Sequence, residues 1–165
     1  MSSGKQEPTL EKIDPLNQVA EFHNTFQHPI LSIPTIPSED RCKLRVSLIA
    51  EELKELEEAI AANDLVEVAD ALCDIQYVLS GAVLEFGLGP KFKELFEEVQ
   101  RSNMSKACDT LEEAEATVAH YKERKGEESF IEQKGDKYLI FRKGDRKTLK
   151  SINYSPANLK YILEK

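Results

Sequence analysis

The residues of this chain best suited to chemistry are carboxylates on two neighbouring helical segments: Glu51, Glu52 and Glu55, then Glu67, Asp70 and Asp74. Spacing i, i+3 places Glu52 with Glu55, and Glu67 with Asp70, on one helix face. On a wheel of about 100° per residue with Leu48 at zero, Ile49, Leu53, Leu56, Ala59 and Ile60 form an apolar arc centred at about 75°. Glu52 at about 40° and Arg45 at about 60° fall inside that arc, and Glu55 sits on its shoulder. An amphipathic surface helix turns its charges away from its apolar stripe, and Glu52 does not. On the next segment, with Leu65 at zero, apolar side chains cover roughly two-thirds of the wheel. The remaining stripe holds Glu67, Asp70, Asp74 and Tyr77. Carboxylates are rarely buried without partners. A single Arg45 cannot neutralise five of them, whereas a bound cation can. Oxygen donors without His or Cys suit Mg²⁺, with Mn²⁺ as the alternative, rather than zinc or copper. A ferritin-like di-iron site does not fit, because Glu-x-x-His occurs nowhere in the chain. The plainer alternative makes Glu51–Glu58 a solvated face; the inward positions of Glu52, Asp70 and Asp74 favour a site.

The elements that must position these groups can be read from their start and stop signals. Asp14-Pro15 predicts an N-cap and first turn of a helix running to about Gln27, with Val19, Phe22 and Phe26 on one face. His28-Pro29 stops it, and the segment through Pro34 and Pro37 reads as a loop. Ser38 or Asp40 caps a second helix to about Ala62, and Asp64 caps a third over Leu65–Phe86. Gly87 to Pro90 separates that from a fourth, Lys91 to about Asn103. Asp109-Thr-Leu-Glu112 has capping-box spacing for a fifth, which ends at Gly126. Beyond it, three short β-type runs separated by two Lys-Gly-Asp turns predict a meander, followed by a short helix, Ala157–Leu163, capped at Ser155-Pro156. The fold class read here is mainly α: an antiparallel helical bundle with a small C-terminal antiparallel β meander and a short terminal helix. The division is a flexible N-terminus at 1–13, a helical domain at 14–126 and a basic β-rich appendage at 127–165.

Charge narrows the function. The 165 residues hold 30 acidic and 22 basic side chains, a net of −8. Residues 129–165 carry nine Lys or Arg against four Asp or Glu, a net of +5, so the preceding 128 carry −13. That balance argues against nucleic-acid polymers, which are bound by clustered cations, and against anionic membranes. No apolar run is long enough to span a bilayer, and the first residues have no secretory apolar stretch. The chain reads as cytoplasmic. Cys42, Cys73 and Cys108 form no Cys-x-x-Cys pair and read as free thiols.

The ordered set of motifs resembles a known family. Glu51-Glu52-Leu-Lys-Glu55, eleven residues, then Glu67-Val-Ala-Asp70 is similar to the ExxE…ExxD signature of the all-α NTP pyrophosphohydrolases. That group includes MazG-like proteins, dimeric dUTPases and phosphoribosyl-ATP pyrophosphohydrolase. The runs from Leu44-Arg45 to Glu52, from Ala69-Asp70 to Tyr77-Val78, and Glu98-Val-Gln-Arg-Ser-Asn103-Met-Ser-Lys106 extend the likeness, as does Glu21-Phe22-His23. It covers about residues 15–125; the gap is short, which implies a tight helix turn.

The resemblance implies Mg²⁺-dependent hydrolysis of a nucleoside triphosphate between the α and β phosphates, giving a monophosphate and pyrophosphate, with nucleotide-pool cleaning as a role. It implies that Glu52, Glu55, Glu67 and Asp70 hold the metal, that Glu51 orients or deprotonates water, and that Asn103 and Lys106 meet phosphate or sugar. Lys106 is otherwise an ordinary lysine complementing a helix C-terminus. Asp74 is either a further ligand or an acceptor that orients Arg45 or Lys106. His23 and Phe26, one turn apart, are candidates for stacking on a base, and Tyr77 for a hydrogen bond to substrate or a bridge between carboxylates. The apolar third helix, and the resemblance, imply a homodimer or a dimer of dimers. Two other classes compete: a helical dimerisation or adaptor module with an exposed acidic stripe, and a nucleotide sensor without turnover.

Overall fold

The structure, a computed structural model, describes residues 9–165. Of the flexible terminus read at 1–13, residues 1–8 lie outside the described residues, and 9–14 lead into the first helix without regular structure. The chain divides into two compact units, residues 1–90 and 91–165. The division therefore falls within the stretch assigned above to one helical domain.

The first unit is three helices: α1 (Pro15–Phe26), α2 (Glu39–Ala61) and α3 (Leu65–Glu85). Their starts follow the local chemistry. The Asp14 side chain accepts from Asn17 N with Pro15 in the first turn. Asp64 Oδ1 accepts from Val66 N and Glu67 N, satisfying two orphan donors of α3. Ser38 caps α2 by position but makes no side-chain bond. The tight turn at Asn63, with φ 54°, folds α3 back along α2. That antiparallel pairing sets Glu52 near Asp70 and Asp74 at one level and Arg45 on Glu85 at another. Residues 28–38 are pinned to the end of α3 by Leu31 N on Leu84 O and Thr35 N on Phe86 O. Gly87, at φ +68°, permits this approach, since a Cβ there would lie 2.0 Å from Ile33 O.

The core of this unit is small: Val19, Ala59, Ala71, Val83 and Leu84. Although apolar side chains take up roughly two-thirds of its wheel, α3 is not covered on several sides within one chain. Ala71, Ser80, Gly81, Val83, Leu84 and Glu85 are buried, whereas Leu65, Val66, Leu72 and Leu79 are exposed. Two partner helices cover only one side of a third.

The second unit contains α4 (Phe92–Met104), α5 (Leu111–Lys125), strands β1 (Ser129–Lys134) and β2 (Lys137–Arg142), and α6 (Leu159–Glu164). The strands pair antiparallel from Ser129↔Arg142 to Lys134↔Lys137, and Gly135 takes the positive φ of their turn. The third run of the meander is not a full strand: it contributes a bridge, Phe141↔Thr148, with Leu149 N on Ile140 O. The hairpin packs on α5 through Cys108, Ala114, Tyr121, Ile140 and Leu149. Two boundaries move. The cap of α5 is Thr110, whose Oγ1 accepts from Glu113 N, while Glu113 reaches back to Asp109 N, so the box sits one residue later. The last helix starts at Leu159, capped by Asn158 on Tyr161 N, because Ser155 and Pro156 give their carbonyls to Ser105 and Arg101. No helix among the described residues is by itself long and apolar enough to cross a membrane. All three cysteines are free.

Candidate functional site

Glu52 of α2 lies within electrostatic reach of Asp74 and Asp70 of α3 and of Glu55 and Glu51 on its own helix, while Glu67 is not among the charges that act on it. Glu52 is partly buried, and its Oε2 is shut away from solvent with no hydrogen-bond partner. Burial pushes its carboxyl above the ordinary value, and the charges of Glu55, Asp74, Glu51 and Asp70 push it further. Asp74 is half-buried, while Glu51, Glu55, Glu67 and Asp70 are exposed, so the inward position read for Asp70 does not hold within one chain, where only one side of α3 is covered. The backbone N–H of Glu67 is fixed by the Asp64 cap. Among the described residues, no three His, Cys, Asp or Glu side chains already converge as metal ligands. The donor set is nonetheless of the right kind: oxygen only, mutually repelling, with one orphaned carboxylate oxygen that a cation would satisfy.

A cavity of about 360 Å³ opens in the same unit, lined by residues of α1, α2, α3 and the loop after α1. Phe22 and Tyr77 stand half-exposed in its wall, edge to face with ring centroids 5.6 Å apart, and His28 stacks on Phe22 at 5.8 Å. Phe26, read from sequence as the stacking aromatic, does not line this cavity. It packs on Phe22 at 4.5 Å and is largely exposed, so Phe22 holds the place in the wall. His23 does line it, 2% exposed, with Nδ1 3.0 Å from Pro29 O. A carbonyl only accepts, so Nδ1 carries the proton. Burial lowers the His23 pKa from its ordinary value, against the raising effect of that bond; the nearby Arg45 and His28 lower it further, while Glu85 raises it.

Arg45 is 6% exposed and also lines the cavity. The sequence reading offered Asp74 as the acceptor that orients it; the structure gives that place to Glu85. Glu85, 1% exposed, takes the Arg45 Nε–H and both Nε–H and Nη2–H of Arg41. Desolvation raises the Glu85 pKa, but the two guanidinium groups outweigh it and hold the carboxyl below its ordinary value. Glu85 was missed because it ends an apolar run and its partners lie 40 and 44 residues away. A signal was present: Arg41 and Arg45 at i, i+4, with Arg45 in an apolar arc, require a buried carboxylate somewhere.

Asn103 and Lys106 belong to the second unit, where Lys106 Nζ donates to Asn103 Oδ1 at 2.8 Å.

Two comparisons bear on this geometry. The sequence pattern that defines a family described as phosphoribosyl-ATP pyrophosphohydrolase matches residues 19–103, just over half of the chain, from the α1 histidine through both acidic helices to Asn103. The chain is also similar to an uncharacterized protein, L479, of Acanthamoeba polyphaga mimivirus, at 35% identity over 100 residues. That likeness covers 58% of this chain and 40% of the viral protein, so the chain spans about two-fifths of that relative's length.

Proposed function

The chain belongs to the phosphoribosyl-ATP pyrophosphohydrolase family, within the all-α NTP pyrophosphohydrolase superfamily, and from that premise we propose that it hydrolyses a nucleoside triphosphate or a related nucleotide. The bond broken joins the α and β phosphates. Water is consumed, and a monophosphate and pyrophosphate leave, a reaction suited to nucleotide-pool cleaning. The observation that carries this reading is Glu52: a carboxylate with a shielded, unpartnered oxygen among four like charges is unfavourable unless a cation completes it.

Glu52, Glu55, Glu67 and Asp70 would hold Mg²⁺, or Mn²⁺, with Asp74 beside them as a further donor. A divalent ion bound there would neutralise phosphate charge and acidify water. Glu51, exposed and immediately preceding Glu52 in α2, would orient the attacking water and take its proton. The aromatic wall of the cavity, Phe22 with Tyr77 and His28, would flank the base, with His23 and Arg45 bonding to it. Asn103 and Lys106 would meet phosphate or sugar. We place the protein in the cytoplasm, acting as a homodimer.

The test is pyrophosphate release from a panel of ordinary and modified nucleoside triphosphates, with Mg²⁺ and with chelator. Release that requires Mg²⁺ and falls at least about 100-fold in Glu52→Gln and Asp70→Asn is expected. No release by the wild type, or equal release by both variants, overturns the proposal.

A further inference from the structure

The cluster of half-buried Arg41 with buried Arg45 and Glu85 has no part in the acidic seam, yet it borders the cavity through Arg45. One carboxylate between two guanidinium groups leaves a single positive charge in a largely apolar setting. Such a cluster costs stability unless it is fully paired. Its three hydrogen bonds consume both oxygens of Glu85 and fix Arg45 through Nε alone. The Nη groups of Arg45 remain as donors.

Gly81 shows where one of them lies. A Cβ on Gly81 would come within 2.9 Å of Arg45 Nη1 and 3.0 Å of His23 Nε2. The two nitrogens, from α2 and α1, therefore share one small patch of α3 at the buried end of the cavity. They are of opposite kind. Arg45 Nη1 donates, while His23 Nε2 accepts, because its Nδ1 proton is committed to Pro29 O. The groups facing His23 are Arg45, His28 and Glu85, and its lowered pKa keeps the ring neutral at pH 7.

We infer that Glu85 is a positioning residue for substrate recognition: with Arg41 it holds Arg45 beside His23 over Gly81, so that the pair reads adjacent donor and acceptor groups on the edge of a planar base. That pattern is the hydrogen-bonding edge of a nucleobase. Methylation of the edge ring nitrogen destroys it by removing the donor or blocking the acceptor. The inference rests on the pyrophosphohydrolase reading and adds to it a device that sets KM through the base, remote from the phosphates.

The experiment compares steady-state pyrophosphate release by the full chain with Mg²⁺. The substrates are the best nucleotide of the panel and the same nucleotide methylated at the edge ring nitrogen. The enzymes are the wild type, Glu85→Gln, Glu85→Asp and Gly81→Ala. Charged hydrogen bonds of this kind are worth about 10- to 100-fold in binding. KM is expected to rise by that factor for the wild type on the methylated nucleotide, and for Glu85→Gln and Gly81→Ala on the parent. kcat should stay within about threefold, with partial recovery in Glu85→Asp. Inhibition by tripolyphosphate, which has no base, should be unchanged in every folded variant. Equal turnover of methylated and parent nucleotide by the wild type overturns the inference without needing any variant. So does a folded Glu85→Gln with unchanged KM, or one that loses tripolyphosphate inhibition as well. If the wild type cleaves no nucleotide, the underlying reading fails instead.

Discussion

Replacing Glu52 by Gln should make the metal-free protein more stable and the metal-loaded protein less so. The Oε2 atom of Glu52 is out of solvent and unpartnered, and Glu55, Asp74, Glu51 and Asp70 repel its charge. Leaving such a group unsatisfied costs about 1–3 kcal/mol. Glutamine removes the charge and offers an N–H to the surrounding carboxylates. Relief of about 2 kcal/mol in a chain of this size raises Tm by roughly 4–8 °C. With Mg²⁺ at about 100 times its Kd, the wild type should gain about 2.7 kcal/mol, or roughly 5–11 °C, which the variant cannot recover. The pH dependence carries the same sign. The Glu52 carboxyl has a higher pKa in the folded than in the unfolded chain, so the native state binds more protons across that interval. Its ionisation therefore costs stability in full above the raised pKa. That cost disappears as pH falls toward the ordinary value of 4.5, so the gap between variant and wild type in chelator closes with acidification. Differential scanning calorimetry in EDTA and in Mg²⁺, at neutral and mildly acidic pH, measures all of this. A Glu52→Gln protein that melts at or below the wild type in EDTA, or that Mg²⁺ stabilises as much as the wild type, would refute the reasoning from the orphaned carboxylate.

Two further expectations concern the scaffold. Gly87→Ala should lose at least about 3 kcal/mol by urea denaturation, since the added Cβ meets a backbone carbonyl 2.0 Å away at a positive φ. A loss under about 1 kcal/mol would mean that residues 28–38 are not anchored there. Thr110→Ala should cost about 1 kcal/mol through the lost cap on Glu113 N, with Asp109→Ala costing less; the reverse order would return the cap to Asp109.

What the sequence revealed, and what it hid, divides along local and distant interactions. Asp14 and Asp64 cap α1 and α3 where their spacing to the helix starts predicts, because a cap is decided within three residues. Thr110 displaces Asp109 as cap because either residue could serve and the Glu113 side chain decides between them. Glu52 was legible as an inward carboxylate from its own helix alone. Glu85, Phe22 and Gly81 were not, because their meaning depends on which residues of another helix arrive beside them. The Arg45–Glu85 bond spans 40 positions, and that Phe22 and not Phe26 lines the cavity depends on where α2 and α3 lie against α1. The appendage read at 127–165 likewise packs on α5, which supplies Ala114, Val118 and Tyr121 to their shared core, a pairing that spacing along the chain does not show.

The exposed apolar residues of the first unit lead to the remaining prediction. Val46, Leu53 and Ile60 on α2 are seven apart, as are Leu65, Leu72 and Leu79 on α3, and all six are between 41% and 80% exposed. In an antiparallel hairpin turning at residues 62–64, Val46 falls level with Leu79, Leu53 with Leu72, and Ile60 with Leu65. Scattered exposed apolar residues need no explanation, but two parallel heptad rows at matched heights form the seam of a helical bundle. A second copy of the same hairpin would supply the complementary rows through a two-fold axis, making four helices from two chains and covering the side of α3 that one chain leaves bare. Each Leu buried there is worth about 1.5–3 kcal/mol and appears twice in an isologous interface. Leu53→Glu or Leu72→Glu should therefore weaken association by about 100- to 10,000-fold, before counting repulsion between the paired charges. Light scattering on the wild type at tens of micromolar should give twice the mass of 18.7 kDa, and on either variant the single mass. A monomeric wild type, or variants that remain dimers, would show that the rows face something other than a second copy. On the helical wheel Arg45 and Glu52 lie about 80–100° round α2 from the middle of these rows, so a monomeric variant should still gain stability from Mg²⁺, separating the interface from the site.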